Sequence, residues 1–367
     1  MHVIRNRRAA AAAGLVASVL LAALPTTAGS ASAARLPQPA PAARETGPAR
    51  PAQPPWTGPV APSARASQDT PSAHGPRVPR RRGAVPALGR VLVNPATVDI
   101  RLPFDSVTDT RAEWRASAVA QNRLTTRCMA RYGITYVHPD PAPVTGPDDP
   151  HRHLFGFADP VFAAAHGYDR TGGVPRPPRP EAPPLTDDGH TALYGHRPSD
   201  PPPTTGPLSE EEARETDTGI TVGGLSVPVH GCGGEAYRKL YLPTRTSIDS
   251  VFPFMLSSEA HARATADPRM RRVFASWSRC MARHGYPGIA NPYEVTAVYD
   301  FGDDLGGPAA VAAAVRDVAC KQKVNLVGLG AALETAHQKQ VAAEVADDLA
   351  AYRVQRAARL ARAAALG

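Results

Sequence analysis

The segment VPVHGCGGEAYRKLY, Val227 to Tyr241, sets a cysteine directly behind a histidine and a glycine. A thiol in that company can act as a nucleophile once a base takes its proton, and it then needs oxyanion donors nearby. The same sulfur can be half of a disulfide, and a disulfide sulfur has no thiolate with which to attack. His230, Gly231 and Cys232 therefore read either as a catalytic group or as part of a cross-link. A second set, Asp148, Asp149, His151 and His153 in DDPHRH, has zinc-ligand chemistry. It sits in a proline-rich stretch with no distant further ligand evident, so a solvated polar loop is expected there and no metal or cofactor is assigned. Asp303-Asp304 between glycines reads as a turn rather than as paired catalytic carboxylates. No glycine-rich phosphate loop, GxSxG elbow or HExxH pair appears.

The elements that must position Cys232 emerge from an internal repeat. TTRCMARYGI around Cys128 and WSRCMARHGY around Cys280 agree at six of the seven positions from Arg127 to Gly133. Both read as a helix end closed by a glycine that takes the left-handed conformation. In the second copy Asp267-Pro268 is a cap followed by a first helical residue. Met270, Val273, Phe274, Trp277, Cys280 and Met281 then recur at three- and four-residue steps, which puts Cys280 on the buried face. In the first copy a helix starting near Asp109 carries the weaker stripe Trp114, Gln121, Leu124, Cys128 and Tyr132. One further cysteine follows each helix, Cys232 in the first case and Cys320 in the second. Cys320 lies in GPAAVAAAVRDVACKQKV, a helix opening at Pro308 with Val311, Val315 and Val318 as its apolar face. Four cysteines allow three pairings, and the repeat favours Cys128 with Cys232 and Cys280 with Cys320. In the chain-entropy account the shorter loop then stabilises by about 4 kcal/mol and the longer by about 5 kcal/mol.

Disulfides imply an oxidising compartment, and the first residues supply the route to one. His2, Arg5, Arg7 and Arg8 form a basic start, AAAAAGLVASVLLAALP is an apolar run, and Ala31-Ser32-Ala33 offers small side chains for cleavage, so residues 1–33 read as a secretory signal peptide. The run breaks at Pro25, short of the roughly 20 apolar residues a span requires, and no other stretch is apolar enough. No cysteine precedes Cys128, which excludes a lipid anchor at the cleavage site. The net charge of +8 is unevenly spread: residues 1–33 hold three arginines, and residues 34–100 hold nine against three acids, leaving the remainder near neutral. A near-neutral body argues against a nucleic-acid-binding surface. The basic, proline-rich stretch 34–100 reads as a disordered tail with Arg80-Arg81-Arg82 open to cleavage; it is a solvated linker or, alternatively, a contact for anionic wall polymers.

The body divides into 101–245 and 246–367, each with a helix end and a cysteine pair. RHLFGFADPVFAAAHGYD interrupts the second proline-rich region with Leu154, Phe155, Phe157, Val161, Phe162 and Tyr168, and Asp159-Pro160 starts a short helix within it. Residues 171–217 read as a long excursion. Residues 331–365 hold no proline or glycine, and Leu333, Val341, Val345, Leu349 and Tyr352 step along one face of what reads as a single long helix. Its last turns carry only arginine charges, which suits the negative end of the helix dipole.

Two resemblances follow from these residues. VHGCGG resembles the SHGC motif of the L,D-transpeptidases, cell-wall cross-linking enzymes with a cysteine nucleophile, at His230, Gly231 and Cys232. Val229 stands where that family has serine or threonine, and Gly234 where an arginine is expected. The wider order resembles uncharacterised exported proteins of actinomycetes over Asp105 to Tyr352: two CM-plus-glycine helix ends, FGFADP from Phe155 to Pro160, the segment Gly231 to Glu235, and DVACK from Asp317 to Lys321. That resemblance implies export and disulfides and brings no catalytic residue. The sequence thus describes a mainly α, disulfide-stapled helical body with long Pro-rich excursions and a disordered N-terminal tail. It would lie outside the cell, secreted or loosely wall-associated, and act as a non-enzymatic binding or structural protein, with a cysteine-dependent wall enzyme as the alternative. Ligand and oligomeric state are not legible in it.

Overall fold

The computed structural model describes residues 85–144, 148–173, 184–202 and 209–367. Residues 1–33, read as a signal peptide, most of the stretch read as a basic tail, and Arg80-Arg81-Arg82 lie outside the described residues. The described chain is mainly α, with eleven helices and one two-stranded sheet, and two disulfides staple it. It falls within one unit, Pro76–Gly367.

Helix α1, Arg111–Ala130, starts where Thr110 and Glu113 form a reciprocal capping box: the Glu113 amide donates to Thr110 Oγ1 at 3.2 Å, and the Thr110 amide donates to Glu113 Oε2 at 2.8 Å. Helix α2, Pro160–His166, is capped by Asp159 as its sequence indicates. The 171–217 excursion is more structured than expected. It contains α3, Asp187–Tyr194, capped by Thr186, and α4, Glu210–Arg214, capped by Ser209. These helices are too short for apolar periodicity to be visible against the surrounding prolines. A hairpin of β1, Thr221–Val222, and β2, Leu225–Ser226, follows, antiparallel with Val222 opposite Leu225.

Helix α5, Gly231–Tyr241, carries Cys232 in its first turn, and α6, Phe252–Ala266, follows. Helix α7, Pro268–Arg283, begins on the Asp267 cap and buries Met270, Phe274, Trp277, Cys280 and Met281. A single turn, α8, Val295–Val298, leads to α9, Pro308–Lys323, which buries Ala310, Ala313, Ala314, Asp317, Val318, Cys320 and Lys321. Val315, expected on the apolar face, is exposed at 38 %, whereas Val318 of the same expected face is buried. Trp114 of α1 is likewise exposed, and the buried face of that helix runs through Ser117, Val119, Ala120, Thr125, Cys128 and Met129.

The single long C-terminal helix is corrected by the structure. It is two helices, α10, Leu326–Glu344, and α11, Ala346–Leu366, broken at Val345, whose backbone leaves the helical region at φ −132°, ψ 34°. Val345 is buried with Val341, Leu349 and Tyr352, so the break is held by packing rather than by a helix-breaking residue. It lets α10 run along α6 while α11 lies against α1 and α5.

The repeat is visible in the backbone. Gly133 and Gly285 have φ of +70° and +90°, and the following amides, of Ile134 and Tyr286, donate back to Met129 and Met281 carbonyls at 3.3 and 3.0 Å. Each helix end feeds a cysteine into its own apolar cluster. Cys128 and Cys232 sit with Met129, Tyr136, Ala192, Leu193, Val222 and Val227. Cys280 and Cys320 sit in the largest cluster, with Trp277, Met281, Phe155, Phe157 and Tyr168, so the aromatic FGFADP stretch shares a core with the second disulfide. Residues 85–100, placed in the tail by composition, also meet the body. Arg269 Nη2 donates to the Pro86 carbonyl at 3.0 Å and Asn325 Nδ2 to that of Leu92 at 2.8 Å, while Ile100 is buried.

Candidate functional site

The structure joins Cys128 to Cys232 with Cα atoms 5.5 Å apart, and Cys280 to Cys320 with Cα atoms 5.7 Å apart. No cysteine is free. Cys232 has no exposed surface. His230 precedes α5 in the left-handed region, at φ +57°. Gly231, φ +65°, lies where the chain crosses the end of α3. A Cβ there would stand 2.6 Å from the Gly195 amide nitrogen, and one on Gly195 would stand 2.8 Å from the Cα of His230. The HGC glycine is thus required by two backbones in contact, a packing reason independent of any oxyanion.

The side chains with zinc-ligand chemistry are dispersed among separate partners. His151 is buried, not solvated, with Nε2 3.0 Å from Asp105 Oδ2. Asp149 Oδ2 accepts from Thr97 Oγ1 at 2.8 Å, and Asp148 Oδ2 from the Arg111 amide at 3.4 Å. His153 stacks edge-on to Phe157, and burial lowers its pKa below the ordinary value. The loop anchors the body's first segments, since its side chains pair with Thr97, Asp105 and the Arg111 amide. Asp303 lies in a turn, as expected. Cys280, His284 and Cys320 bring metal-type atoms together, but both sulfurs are committed to the disulfide.

Two arrangements escaped sequence reasoning. In the first, Glu334, 1 % exposed, pairs with His261 Nδ1, whose Nε2 lies 3.4 Å from the Tyr293 hydroxyl. A carboxylate, an imidazole and a hydroxyl in line have the form of a proton relay. Here the hydroxyl donates to the Leu154 carbonyl at 3.0 Å, and burial, with Glu334, pushes the phenol up from its ordinary pKa. The line ties α6 and α10 to the FGF segment.

The second is a charged cleft beside the first disulfide, of about 220 Å³, lined by Arg131, Glu210, Arg214, Glu235, Arg238 and Lys239 with Ala213 and Pro228. Glu235, Arg238 and Lys239 share a face of α5 by their three- and four-residue spacing. Arg131 comes from the end of α1, and Glu210 and Arg214 from α4. Arg131 pairs with Glu235 and also places Nη2 2.8 Å from the sulfur of Cys128; Lys239 pairs with Glu235 as well. Burial would raise Glu235, but hydrogen bonds from Lys239 and Arg131 outweigh it and hold the carboxyl below its ordinary value.

Arg238, 3 % exposed, donates through Nη1 to the Val229 carbonyl at 2.8 Å. Its Nε lies 3.4 Å from Glu210 Oε2, and neither Nε nor Nη2 has a hydrogen-bond partner. Burial lowers its pKa, against the opposing pull of Glu210. Four cations thus face two carboxylates. The α5 spacing is legible in the sequence, whereas Glu210 and Arg131 arrive from distant segments that only the fold unites. The chain matches no family model, no curated protein and no solved structure.

Proposed function

We propose that the chain is an exported protein, secreted or held loosely at the cell envelope, that binds or braces rather than catalyses. The observation that carries this reading is the state of Cys232: the one sulfur with a histidine and glycine beside it is buried and bonded to Cys128. A cysteine-dependent wall enzyme needs that sulfur as a thiolate. Two disulfides in a chain opening with a basic start, an apolar run and Ala31-Ser32-Ala33 support export. Among the described residues no helix is long and apolar enough to cross a membrane. The likeness to exported actinomycete proteins belongs to the same proposal.

The basic stretch 34–100 supplies the contact with anionic wall polymers. Retention of the chain on purified peptidoglycan or teichoic acid tests this, beside a variant whose nine arginines in 34–100 are glutamine. Loss of retention in the variant supports wall contact, and equal retention removes it. Thiol alkylation of the secreted protein tests the chemistry. A labelled Cys232 would overturn the non-enzymatic reading.

A further inference from the structure

We propose that the cleft between α1, α4 and α5 binds a small oxyanion, a carboxylate or a phosphate, on the guanidinium of Arg238. The proposal rests on the reading of the chain as a binding protein and names the chemistry the body would recognise. Three observations lead to it. First, the cleft carries a cation surplus, with Arg131, Arg214, Arg238 and Lys239 against Glu210 and Glu235. Second, Arg238 is almost wholly buried, yet Nη2 makes no hydrogen bond and Nε has only the Glu210 carboxylate, 3.4 Å away. Leaving buried charged donors unsatisfied is costly, and an arginine fork matches two oxygens of one anion. Third, the cations of the cleft are already placed. Arg238 is fixed through Nη1 by the Val229 carbonyl, and Arg131 and Lys239 are held by Glu235. Binding therefore requires little ordering of side chains.

The two carboxylates set the selectivity. Each is shared between two cations, Glu210 between Arg214 and Arg238 and Glu235 between Arg131 and Lys239, so both repel an anion that approaches from their side. At about 220 Å³ the cleft suits a single anionic group or the end of a chain bearing one, rather than an extended polymer.

Isothermal titration of the full chain with inorganic phosphate and with acetate, at constant ionic strength, tests the proposal and tells the two anions apart. Saturable one-to-one binding of at least one is expected, weakened about tenfold or more in Arg238→Gln. Arg214 lies at the rim with its side chain 69 % exposed, so Arg214→Glu keeps the fold and is expected to weaken binding severalfold. Should Arg238→Gln fail to fold, the rim variant alone decides. Absence of saturable binding, or binding unchanged in Arg214→Glu and in any folded Arg238→Gln, overturns the proposal. Retention on whole wall polymer is read separately through the 34–100 arginines, so either reading can fail without the other.

Discussion

Lys321 and Asp317 meet 2.8 Å apart, one turn from each other on α9, with neither side chain more than 1 % exposed. The Trp277 indole donates to the other carboxylate oxygen at 2.9 Å, and the lysine also donates to the Phe157 carbonyl at 2.7 Å. The pair therefore binds α7 and the FGFADP stretch to α9 beside the second disulfide. Burial pushes the carboxyl up and the ammonium down from their ordinary values, and their contact opposes both.

Removing one partner strands the other. Lys321→Met is expected to destabilise by about 3–5 kcal/mol, and the double variant Lys321→Met, Asp317→Leu to lose less than the sum of the single changes. Chemical denaturation of the four proteins checks this. Strict additivity would show the two groups to be uncoupled.

Peptide mapping without reductant is expected to return Cys128 joined to Cys232 and Cys280 joined to Cys320. Replacing the first pair by serines should cost about 5 kcal/mol and the second about 4 kcal/mol, read from urea midpoints. A different connectivity would contradict the structure directly.

Asp267 caps α7, accepts from Arg269 through side chain and backbone, and lies 3.2 Å from His337 Nε2. The Arg269 hydrogen bonds, chiefly, hold its carboxyl far below the ordinary 3.8 despite burial. A depressed carboxyl stabilises the fold fully above its unfolded pKa and loses that contribution as pH falls through the folded value. Asp267→Asn is therefore expected to cost about 2 kcal/mol at neutral pH, a gap that narrows as pH falls below the ordinary carboxylate range. Stability curves of both proteins against pH test the sign.

The crossing of α3 and α5 gives a contrast within one motif. Gly231→Ala is expected to destabilise by about 2 kcal/mol or more, because its φ is +65° and its Cβ would collide with Gly195. Gly233→Ala, whose Cβ meets only the Leu193 carbonyl at 3.4 Å, should lie within about 1 kcal/mol of the parent. Equal effects in thermal melts would remove the packing explanation of the HGC glycine.

At the C-terminus, Arg359 is 3 % exposed and donates to Ser117 Oγ at 2.8 Å and Asp109 Oδ1 at 2.6 Å, docking α11 on the start of α1. Arg359→Met should cost about 3 kcal/mol, whereas exposed Arg353→Ala should cost under about 0.5 kcal/mol. Denaturant titration separates the two.

The features legible in the sequence are those with strong local signals. Asp267-Pro268 and the Met270 to Met281 stripe specify α7 by themselves, and the RCMAR repeat with its glycines gives two helix ends and the disulfide pairing. The α9 face was read correctly at Val318, which is buried, and wrongly at Val315, which is exposed, for a physical reason. Ala310, Ala314, Asp317 and Lys321 follow the same three- and four-residue steps as a buried stripe, but valines one position away are more hydrophobic, and a charged pair one turn apart ordinarily reads as solvent-facing. The break at Val345 has no composition signal, since it comes from which helices α10 and α11 must reach. The cleft was only half visible, because Glu235, Arg238 and Lys239 are near in sequence while Arg131 and Glu210 arrive through the fold and the disulfide.

The two sulfur links also give the chain a topology. Residues between Cys128 and Cys232, with the proline-rich excursion among them, form one covalent ring, and those between Cys280 and Cys320 a second. A protease that cuts once inside either ring opens it without releasing a fragment. The nicked molecule keeps its mass apart from one added water, and its pieces separate on a gel only after reduction.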